Sequence, residues 1–136
     1  MSEPLPIQSV HHIARITSDL EASKAFYRDV LGFRPLRRPD FKFPGAWLYN
    51  YGVQIHLIAT GGEKDPNQGD ILTRADHVAF HVADIKLIQQ LLDERGIPYR
   101  SNYVADTKVL QLFFQDPDGN HIEIGSYPPT PELLEE

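Results

Sequence analysis

Apolar and polar residues alternate along two stretches of the chain, and this period of two is typical of a strand with one buried face. In "GVQIHLIA" and "GNHIEIG" the apolar positions are Val53, Ile55, Leu57, Ile122 and Ile124. The opposite parity carries His56 in the first stretch and Glu123 in the second. The pattern therefore predicts two strands that turn a histidine and a glutamate away from the helix side of a sheet.

Two longer segments change to the helical period, with apolar residues three or four positions apart. They read "DLEASKAFYRDVLGF" and "DIKLIQQLLDERGI". Each segment ends at a glycine, Gly32 or Gly96, and glycine accepts the left-handed conformation that commonly stops a helix. We predict a helix for each segment.

The two helices and the two strands belong to an internal repeat. "HIARITSDL" from His12 matches "HVAFHVADI" from His77 at an offset of 77 − 12 = 65 residues. Further along, Gly52 lies four residues before His56, and Gly119 lies four residues before Glu123. His56 and Glu123 are therefore equivalent positions in the two copies.

Each copy reads as strand, helix and three strands, which predicts an α+β fold of two βαβββ modules in tandem. We place module 1 at about 7–59 and module 2 at about 76–127. The segment 60–75 between them is rich in Gly, Asp, Asn and Pro and suits a linker. The tail 128–136 is predicted to lie outside the repeat.

Four residues of metal-ligand type occupy equivalent positions of this repeat: His12, His77, His56 and Glu123. If the modules sit around an approximate two-fold axis, the four side chains converge, and three imidazoles with one carboxylate can hold a divalent cation. A single histidine at a strand start is more often structural than a ligand. The metal prediction therefore depends on the four positions taken jointly.

The remaining histidines carry weaker predictions. His11 has the opposite parity to His12 and has no histidine counterpart, since Asp76 stands in its place, so it is predicted to be structural. His81 and His121 share the face of the predicted ligands and are expected to be solvated or to support the ligands.

Composition narrows the classes of function. The chain has 136 residues, 41% hydrophobic and 24% charged, which fits one compact domain with an ordinary core. The absence of cysteine leaves His, Asp and Glu as metal ligands. A net charge of −6 disfavours nucleic acid as a partner, and no apolar run is long enough for a membrane span, so a cytoplasmic protein is expected.

Cations and aromatic residues give less specific signals. "RPLRRP" (34–39) is the only basic cluster, and we expect a solvated loop there. Arg15 and Arg100 could meet an anionic substrate, although surface positions are the more common use of arginine. Aromatic residues that could shape a pocket are Trp47, Tyr49, Tyr51, Tyr103 and Phe113.

The opening "VHHIARITSDLEASKAFYRDVLGF" and the closing "FFQDPDGNHIEI" resemble the vicinal oxygen chelate superfamily, which includes glyoxalase I, bleomycin-binding proteins and extradiol dioxygenases. The resemblance covers residues 7–127 and is nearest to a glyoxalase I-like group. It implies paired curved mixed sheets enclosing a metal site, often in a homodimer. The four metal positions of the superfamily carry over to His12, His56, His77 and Glu123.

What the resemblance implies for function is a metal-dependent lyase or isomerase of the lactoylglutathione lyase type. The substrate would be a small hydroxy-carbonyl or thiohemiacetal-type molecule, and a proton would move through a metal-stabilised enediolate. Glu123 would be the base and His56 its partner acid. The cofactor would be a divalent ion of Zn, Ni, Co, Mn or Fe.

Three departures weaken a direct assignment as glyoxalase I. The position of His56 is normally a glutamate there, and Ile16 and Thr73 stand where glyoxalase I has arginines, so glutathione dependence is doubtful. Two alternatives stay open. One is an Fe(II) dioxygenase of the extradiol type, and the other is a small-molecule binding protein of the bleomycin-resistance type that performs no catalysis.

Overall fold

The computed structural model describes residues 4, 6, 8–61 and 69–134. The chain divides into two units, residues 1–64 and 65–136. Residue 7, residues 62–68 of the predicted linker and residues 135–136 of the predicted tail lie outside the described residues.

The first unit folds as a strand, a helix and three strands. Its elements are β1 (His12–Thr17), α1 (Leu20–Ala25) continued by a π-helical segment (Phe26–Val30), β2 (Arg34–Leu36), β3 (Gly45–Asn50) and β4 (Val53–Ala59). The sheet order is β1-β4-β3-β2, with β1 parallel to β4 and the other pairs antiparallel. The sheet is therefore mixed, and β4 lies in its interior beside the first strand.

The second unit repeats this topology. Its elements are β5 (His77–His81), α2 (Ile85–Glu94), β6 (Arg100–Val104), β7 (Val109–Gln115), β8 (His121–Gly125) and a 3-10 helix (Thr130–Leu133). The order β5-β8-β7-β6 matches the first sheet strand by strand, and β5 is again parallel to its neighbour β8. The prediction of two tandem βαβββ modules is confirmed.

Local sequence signals explain the helix boundaries. Asp19 caps α1 by accepting a hydrogen bond from the Ala22 amide at 3.0 Å, and Asp84 caps α2 through the Leu87 amide at 3.2 Å. Gly32 and Gly96 have φ angles of 81° and 65°, the left-handed conformation that the sequence predicts after each helix.

The core of each unit lies between the helix and one face of the sheet. Apolar side chains with at most 2% exposure in the first unit are Tyr27, Phe33, Leu48, Ile55 and Leu57; in the second they are Leu112, Phe113, Phe114 and Ile122. Most of these strand residues have the apolar parity seen in the sequence, and Phe113 is the exception because it pairs with Glu123 on the opposite face. The apolar alternation thus fixes which face of each strand meets its helix. No helix in the described ranges is long and apolar enough to cross a membrane.

A two-residue turn sets the position of β4. Tyr51 and Gly52 have φ angles of 53° and 78°, and the register pairs Asn50 with Val53, as in a type I′ hairpin. The Tyr51 hydroxyl donates to the carbonyl of Leu31 at 2.5 Å, so the turn is fastened to the end of the helical segment. This register decides which residues of β4 point away from the core.

Candidate metal and proton-transfer residues

The parallel pairing of β1 with β4 brings two predicted ligands together in the first unit. Ala14 lies opposite His56 and His12 lies opposite Gln54, so both histidines project from the same face of neighbouring strands. Their rings are nearly parallel, with centroids 4.0 Å apart and planes 9° apart.

His56 is held between two rings. Trp47 lies on β3 directly opposite His56. Its ring stacks on the face of the His56 ring that is turned away from His12, with centroids 4.2 Å apart. Nε2 of His56 lies 2.8 Å from Oε1 of Gln54, and since an amide oxygen only accepts, Nε2 carries the proton and Nδ1 keeps the lone pair. Burial lowers the pKa of His56, and the charges of His12, His11 and Arg38 lower it further, so the neutral ring is favoured.

His11 is exposed, and its backbone carbonyl accepts a hydrogen bond from the Gln54 amide at 3.2 Å. Its ring also reaches the predicted ligand beside it, because Nδ1 of His11 and Nδ1 of His12 lie 2.9 Å apart. Sequence parity separates the two residues and does not predict this contact. His11 therefore helps to orient His12.

The second unit repeats the arrangement with one carboxylate. Ala79 lies opposite Glu123 and His77 lies opposite His121, which is the register of the first unit. Nε2 of His77 lies 3.1 Å from Oε1 of Glu123, and Nδ1 of His77 donates to the carbonyl of Ala75 at 2.7 Å. Because the Nδ1 proton is committed to Ala75, a neutral His77 directs a lone pair at a carboxylate oxygen.

The other oxygen of Glu123 has its own donors. The Tyr127 hydroxyl donates to Oε2, and Nε2 of Gln111 lies 3.4 Å from the same atom. The carboxylate is only 5% exposed, so these donors replace water. Burial raises the pKa of Tyr127 well above its usual value, and the hydrogen bond to Glu123 raises it further.

Tyr127 is a site residue that sequence reasoning missed, because it stands just before the predicted tail and outside the alternating pattern. Its ring folds back over β8 at Gly125, where an added Cβ would lie 2.7 Å from Cζ of Tyr127. A glycine followed two residues later by tyrosine is the only local signal, and it is weak. The contact depends on the chain reversing direction after β8.

The turn before Glu123 is built around one buried aspartate. Oδ1 of Asp116 accepts hydrogen bonds from the amides of Asp118 and Asn120, both at 2.9 Å, and Oδ2 accepts from the Asn120 side chain at 2.8 Å. Gly119 takes a φ of 86° within this turn. The sequence "QDPDGN" therefore fixes the start of β8 and, through it, the position of Glu123.

His121 and His81 have backbone partners in the second unit. Nε2 of His121 accepts from the Leu72 amide at 2.9 Å, and Nδ1 of His81 accepts from the Tyr127 amide at 3.0 Å. Burial lowers the pKa of His121, and the nearby His77 adds to this effect, which suits a neutral acceptor. His121 ties the described end of the linker to the sheet, and His81 ties the segment just before the tail.

The cations are placed differently from the sequence expectation. Arg100 donates to the carbonyl of Ile71 at 2.8 Å. Arg38 of the "RPLRRP" cluster lines a cavity of about 180 Å³ that also contains His12, His56 and Trp47. The expectation of a solvated loop is therefore wrong in two respects: Arg34–Leu36 form β2, and aromatic side chains farther along the chain cover the guanidinium of Arg38.

The donor set of the second unit fits a divalent cation. Nε2 of His77 and Oε1 of Glu123 lie 3.1 Å apart, a spacing that suits a positive charge at the pair, either a proton on Nε2 or a bound cation. Two ligands of one ion with bonds of about 2.1 Å lie roughly 3.0–3.4 Å apart, which includes this spacing. Within each unit, the described part of the chain gathers such side chains in pairs and not in groups of three.

Comparisons with known proteins agree with this topology. Residues 9–124 match the family model described as Glyoxalase/Bleomycin resistance protein/Dioxygenase superfamily. The chain belongs to this superfamily. The match spans both modules and all four predicted ligand positions, and the resemblance inferred from the sequence is confirmed at the level of the superfamily.

Individual members of the superfamily show how far the likeness extends. The chain is 39% identical to "Glyoxylase I 4" of Arabidopsis thaliana, over 89% of this chain and 72% of that protein. It is 28% identical to "Metallothiol transferase FosB" of Lysinibacillus sphaericus (strain C3-41), over 88% and 82%. A glyoxalase family protein from Enterococcus faecalis superposes with a TM-score of 0.71 at 27% identity, covering 90% of this chain and all of that one (100%).

Proposed function

We propose that this protein is a metal-dependent, glyoxalase I-like lyase or isomerase. It would move a proton between adjacent carbons of a small substrate that carries vicinal oxygens. The observation that carries the proposal is the His77–Glu123 pair, in which Nε2 of His77 lies 3.1 Å from Oε1 of a buried carboxylate. The relative named "Glyoxylase I 4" supports the same class of reaction.

The metal ligands in this proposal are His12 and His56 from the first unit and His77 and Glu123 from the second. The bound cation would polarise the substrate carbonyl, which makes the neighbouring C–H more acidic. Ala75 orients His77 through Nδ1, and Gln54 orients His56 through Nε2. Such outer partners fix the tautomer of a ligating histidine.

Glu123 is the proposed base. Tyr127 and Gln111 both act on Oε2, so Oε1 is the oxygen left to take the proton from the substrate carbon and return it to the neighbouring one. A carboxylate bonded to a cation is a weak base, so Glu123 must loosen from it when substrate binds.

His56 is the proposed partner acid. Burial and neighbouring positive charge lower its pKa and keep the ring neutral. The only proton of the neutral ring bonds Gln54 through Nε2, so His56 would act as the acid by giving up that hydrogen bond and donating the N–H to a developing oxyanion. Its stacking between His12 and Trp47 limits rotation of the ring.

The metal is tested first by its content after incubation with Zn, Ni, Co, Mn or Fe(II). The proposal expects about one equivalent per copy, and loss of most of it in His77→Ala at limiting metal. Glu132→Gln, an exposed carboxylate, is the matched control and should bind as the parent does. Less than about 0.1 equivalents with every metal would overturn the metal site.

Proton transfer is tested by exchange of the substrate C–H with D₂O, followed by NMR. Suitable probes are hydroxyacetone and the hemithioacetal of phenylglyoxal with a simple thiol. Glu123→Gln, measured with bound metal verified, should lower the rate by about 10²–10⁴-fold. Unchanged exchange in this variant would remove Glu123 as the base.

Two further assays separate the alternatives. Oxygen uptake with catechol and Fe(II) in place of proton exchange would favour the dioxygenase. Binding of a small molecule with neither reaction would favour the binding protein.

Replacing the simple thiol by glutathione should leave the rate unchanged, because Ile16 and Thr73 supply no cation for it. Association into a homodimer stays a prediction from the resemblance, and sedimentation equilibrium measures it.

A further inference from the structure

The cavity of the first unit combines a guanidinium with an aromatic wall beside the proposed metal ligands. It has a volume of about 180 Å³, and its lining includes His12, His56, Trp47, Arg38, Phe41 and Phe43. A cavity of about 150 Å³ in another protein holds benzene, so this one admits a ligand with a single ring.

Arg38 is fixed in place but not neutralised. Its guanidinium carbon lies 4.7 Å from the ring centroid of Phe41 and 4.9 Å from that of Phe43, and Nη2 donates to the Phe43 carbonyl at 3.0 Å. Its Nε is buried and has no hydrogen-bond partner among the described residues. Within those residues Arg38 also forms no ion pair, so most of its donor capacity remains for an anion.

The backbone leaves room for this guanidinium at Gly45. A Cβ there would lie 3.0 Å from Nη2 and 3.2 Å from Cζ of Arg38, and 2.5 Å from the carbonyl oxygen of Leu57. An added Cβ at the start of β3 would therefore collide with the Leu57 carbonyl and press on the guanidinium of Arg38. The position of the charge is therefore built into the strand and does not depend on a freely rotating side chain.

The aromatic side chains provide a surface for a flat apolar group. Phe41 and Phe43 stack with centroids 5.5 Å apart, and Phe41 lies 5.9 Å from Trp47. Both phenylalanines remain more than 40% exposed, so they have apolar area still to bury. A ring placed against them would gain contact at little ordering cost, because their neighbours already hold them.

We propose that this cavity binds a small organic carboxylate with a flat apolar body and a second oxygen next to the carboxylate, that is, an aryl-substituted α-hydroxy or α-keto acid. Arg38 receives the carboxylate, Trp47 and the two phenylalanines receive the body, and the adjacent oxygen is left near His12 and His56. The inference rests on the proposed function and names a class of ligand for the same site. A single guanidinium suits one negative charge and a bidentate carboxylate.

The test uses Trp47, the only tryptophan of the chain, as a fluorescent reporter inside the cavity. Protein treated with a chelator is titrated with mandelate and, separately, with mandelamide, which keeps the ring and the hydroxyl but has no charge. We expect mandelate to bind at least about 10-fold more tightly than mandelamide. Equal affinities in the unaltered protein would overturn the proposal without any mutation.

Variants then assign the preference to one residue. Arg38→Met keeps an apolar stem against the phenylalanines and should abolish the preference for mandelate, whereas Arg38→Lys should retain part of it. Arg37→Met removes the same charge from the neighbouring exposed position and is the matched control. If Arg38 only fastens its loop, Arg38→Met would weaken both ligands equally, and that result would contradict the proposal.

The outcomes also separate this inference from the proposed function. One outcome is that the protein prefers mandelate, that the preference depends on Arg38, and that no metal binds. This outcome would support carboxylate binding in the cavity and overturn the proposal of a metal-dependent enzyme. Metal binding and proton exchange that depends on Glu123, without any preference for the carboxylate, would overturn the cavity and leave the proposed function standing.

Discussion

At the scale of single residues, the site depends on how the two oxygens of Glu123 are shared. Oε1 faces Nε2 of His77, and Oε2 accepts the hydroxyl of Tyr127 and lies near Gln111. The carboxylate is buried and has little contact with water. A substitution that removes one of its hydrogen-bond donors therefore leaves its negative charge less well solvated. Tyr127 is therefore a positioning residue, since it acts on the proposed base and not on the substrate.

Tyr127→Phe should show the value of that hydrogen bond. Loss of a hydrogen bond to a buried charged group should lower the free energy of unfolding by about 1.5–3 kcal/mol, measured by urea denaturation. Tyr103→Phe is the matched control, because Tyr103 is 60% exposed and should change stability by less than about 0.5 kcal/mol. Equal stability of the two variants would show that the Tyr127 hydroxyl does not hold Glu123.

Gly125→Ala tests why Tyr127 can reach the carboxylate. The added Cβ would lie 2.7 Å from Cζ of Tyr127, so the ring must move, at a cost of about 1–3 kcal/mol. In a Tyr127→Ala background the obstacle is gone, and the same substitution should cost almost nothing. A double-mutant cycle from urea denaturation measures this coupling, and additive effects would contradict it.

At the scale of elements, the β7–β8 turn sets the register that places Glu123 on the face of the sheet opposite to the helix. A shift by one residue would turn Glu123 towards the helix and Ile122 away from it. Asp116 prevents the shift because its carboxylate holds two backbone amides of the turn. The β3–β4 turn likewise sets the register of β4 and so the face on which His56 lies, with Tyr51 and Gly52 in left-handed conformations.

Asp116→Ala should therefore damage both stability and the proposed metal site. Two backbone amides lose a charged acceptor, and we expect a loss of about 3 kcal/mol or more in the free energy of unfolding by urea denaturation. Asp106→Ala, in the exposed β6–β7 turn, should be close to neutral. Asp116→Asn keeps an acceptor oxygen, so its loss in the free energy of unfolding should lie between those of Asp116→Ala and Asp106→Ala. If Asp116→Ala were as neutral as Asp106→Ala, the turn would not depend on this side chain.

At the scale of the whole molecule, each unit carries half of the proposed ligand set. The proposed cation would bind the folded protein and not the unfolded chain, so it would raise stability. The effect should disappear when either pair is broken, although each unit keeps its own core.

The added metal should raise the midpoint of thermal unfolding by about 10 °C at roughly one hundred times its dissociation constant, measured by circular dichroism. His12→Ala and His77→Ala should each cancel most of this increase. Glu132→Gln should keep it. If His12→Ala left the increase intact, the first unit would not contribute to the metal site.

Much of the fold could be predicted because its signals are local and repeated. Alternation assigned His56 and Glu123 to one face, and the observed registers place them opposite Ala14 and Ala79 as equivalents. The glycines that end the helices have the expected left-handed angles. The role of the four residues as metal ligands stays a prediction, since it depends on the two pairs acting together.

Other features had no local signal. Tyr127 reaches Glu123 only because the chain folds back after β8, and Arg38 enters a cavity only because Gly45 leaves space on a strand that follows it. A basic cluster read as a loop says nothing about which aromatic rings cover it. Such contacts join residues that the periodic pattern does not relate.

The sequence by itself determined the two modules, the strand parity and the candidate ligands, because backbone periodicity and turn chemistry act between near neighbours along the chain. Only the tertiary structure decided which groups surround each predicted ligand: the Ala75 carbonyl for His77, the Tyr127 hydroxyl for Glu123, and Trp47 with Gln54 for His56. Hydrogen bonds and ring contacts depend on distances of a few ångströms between segments, and those distances exist only once the strands have paired and the loops have closed over them.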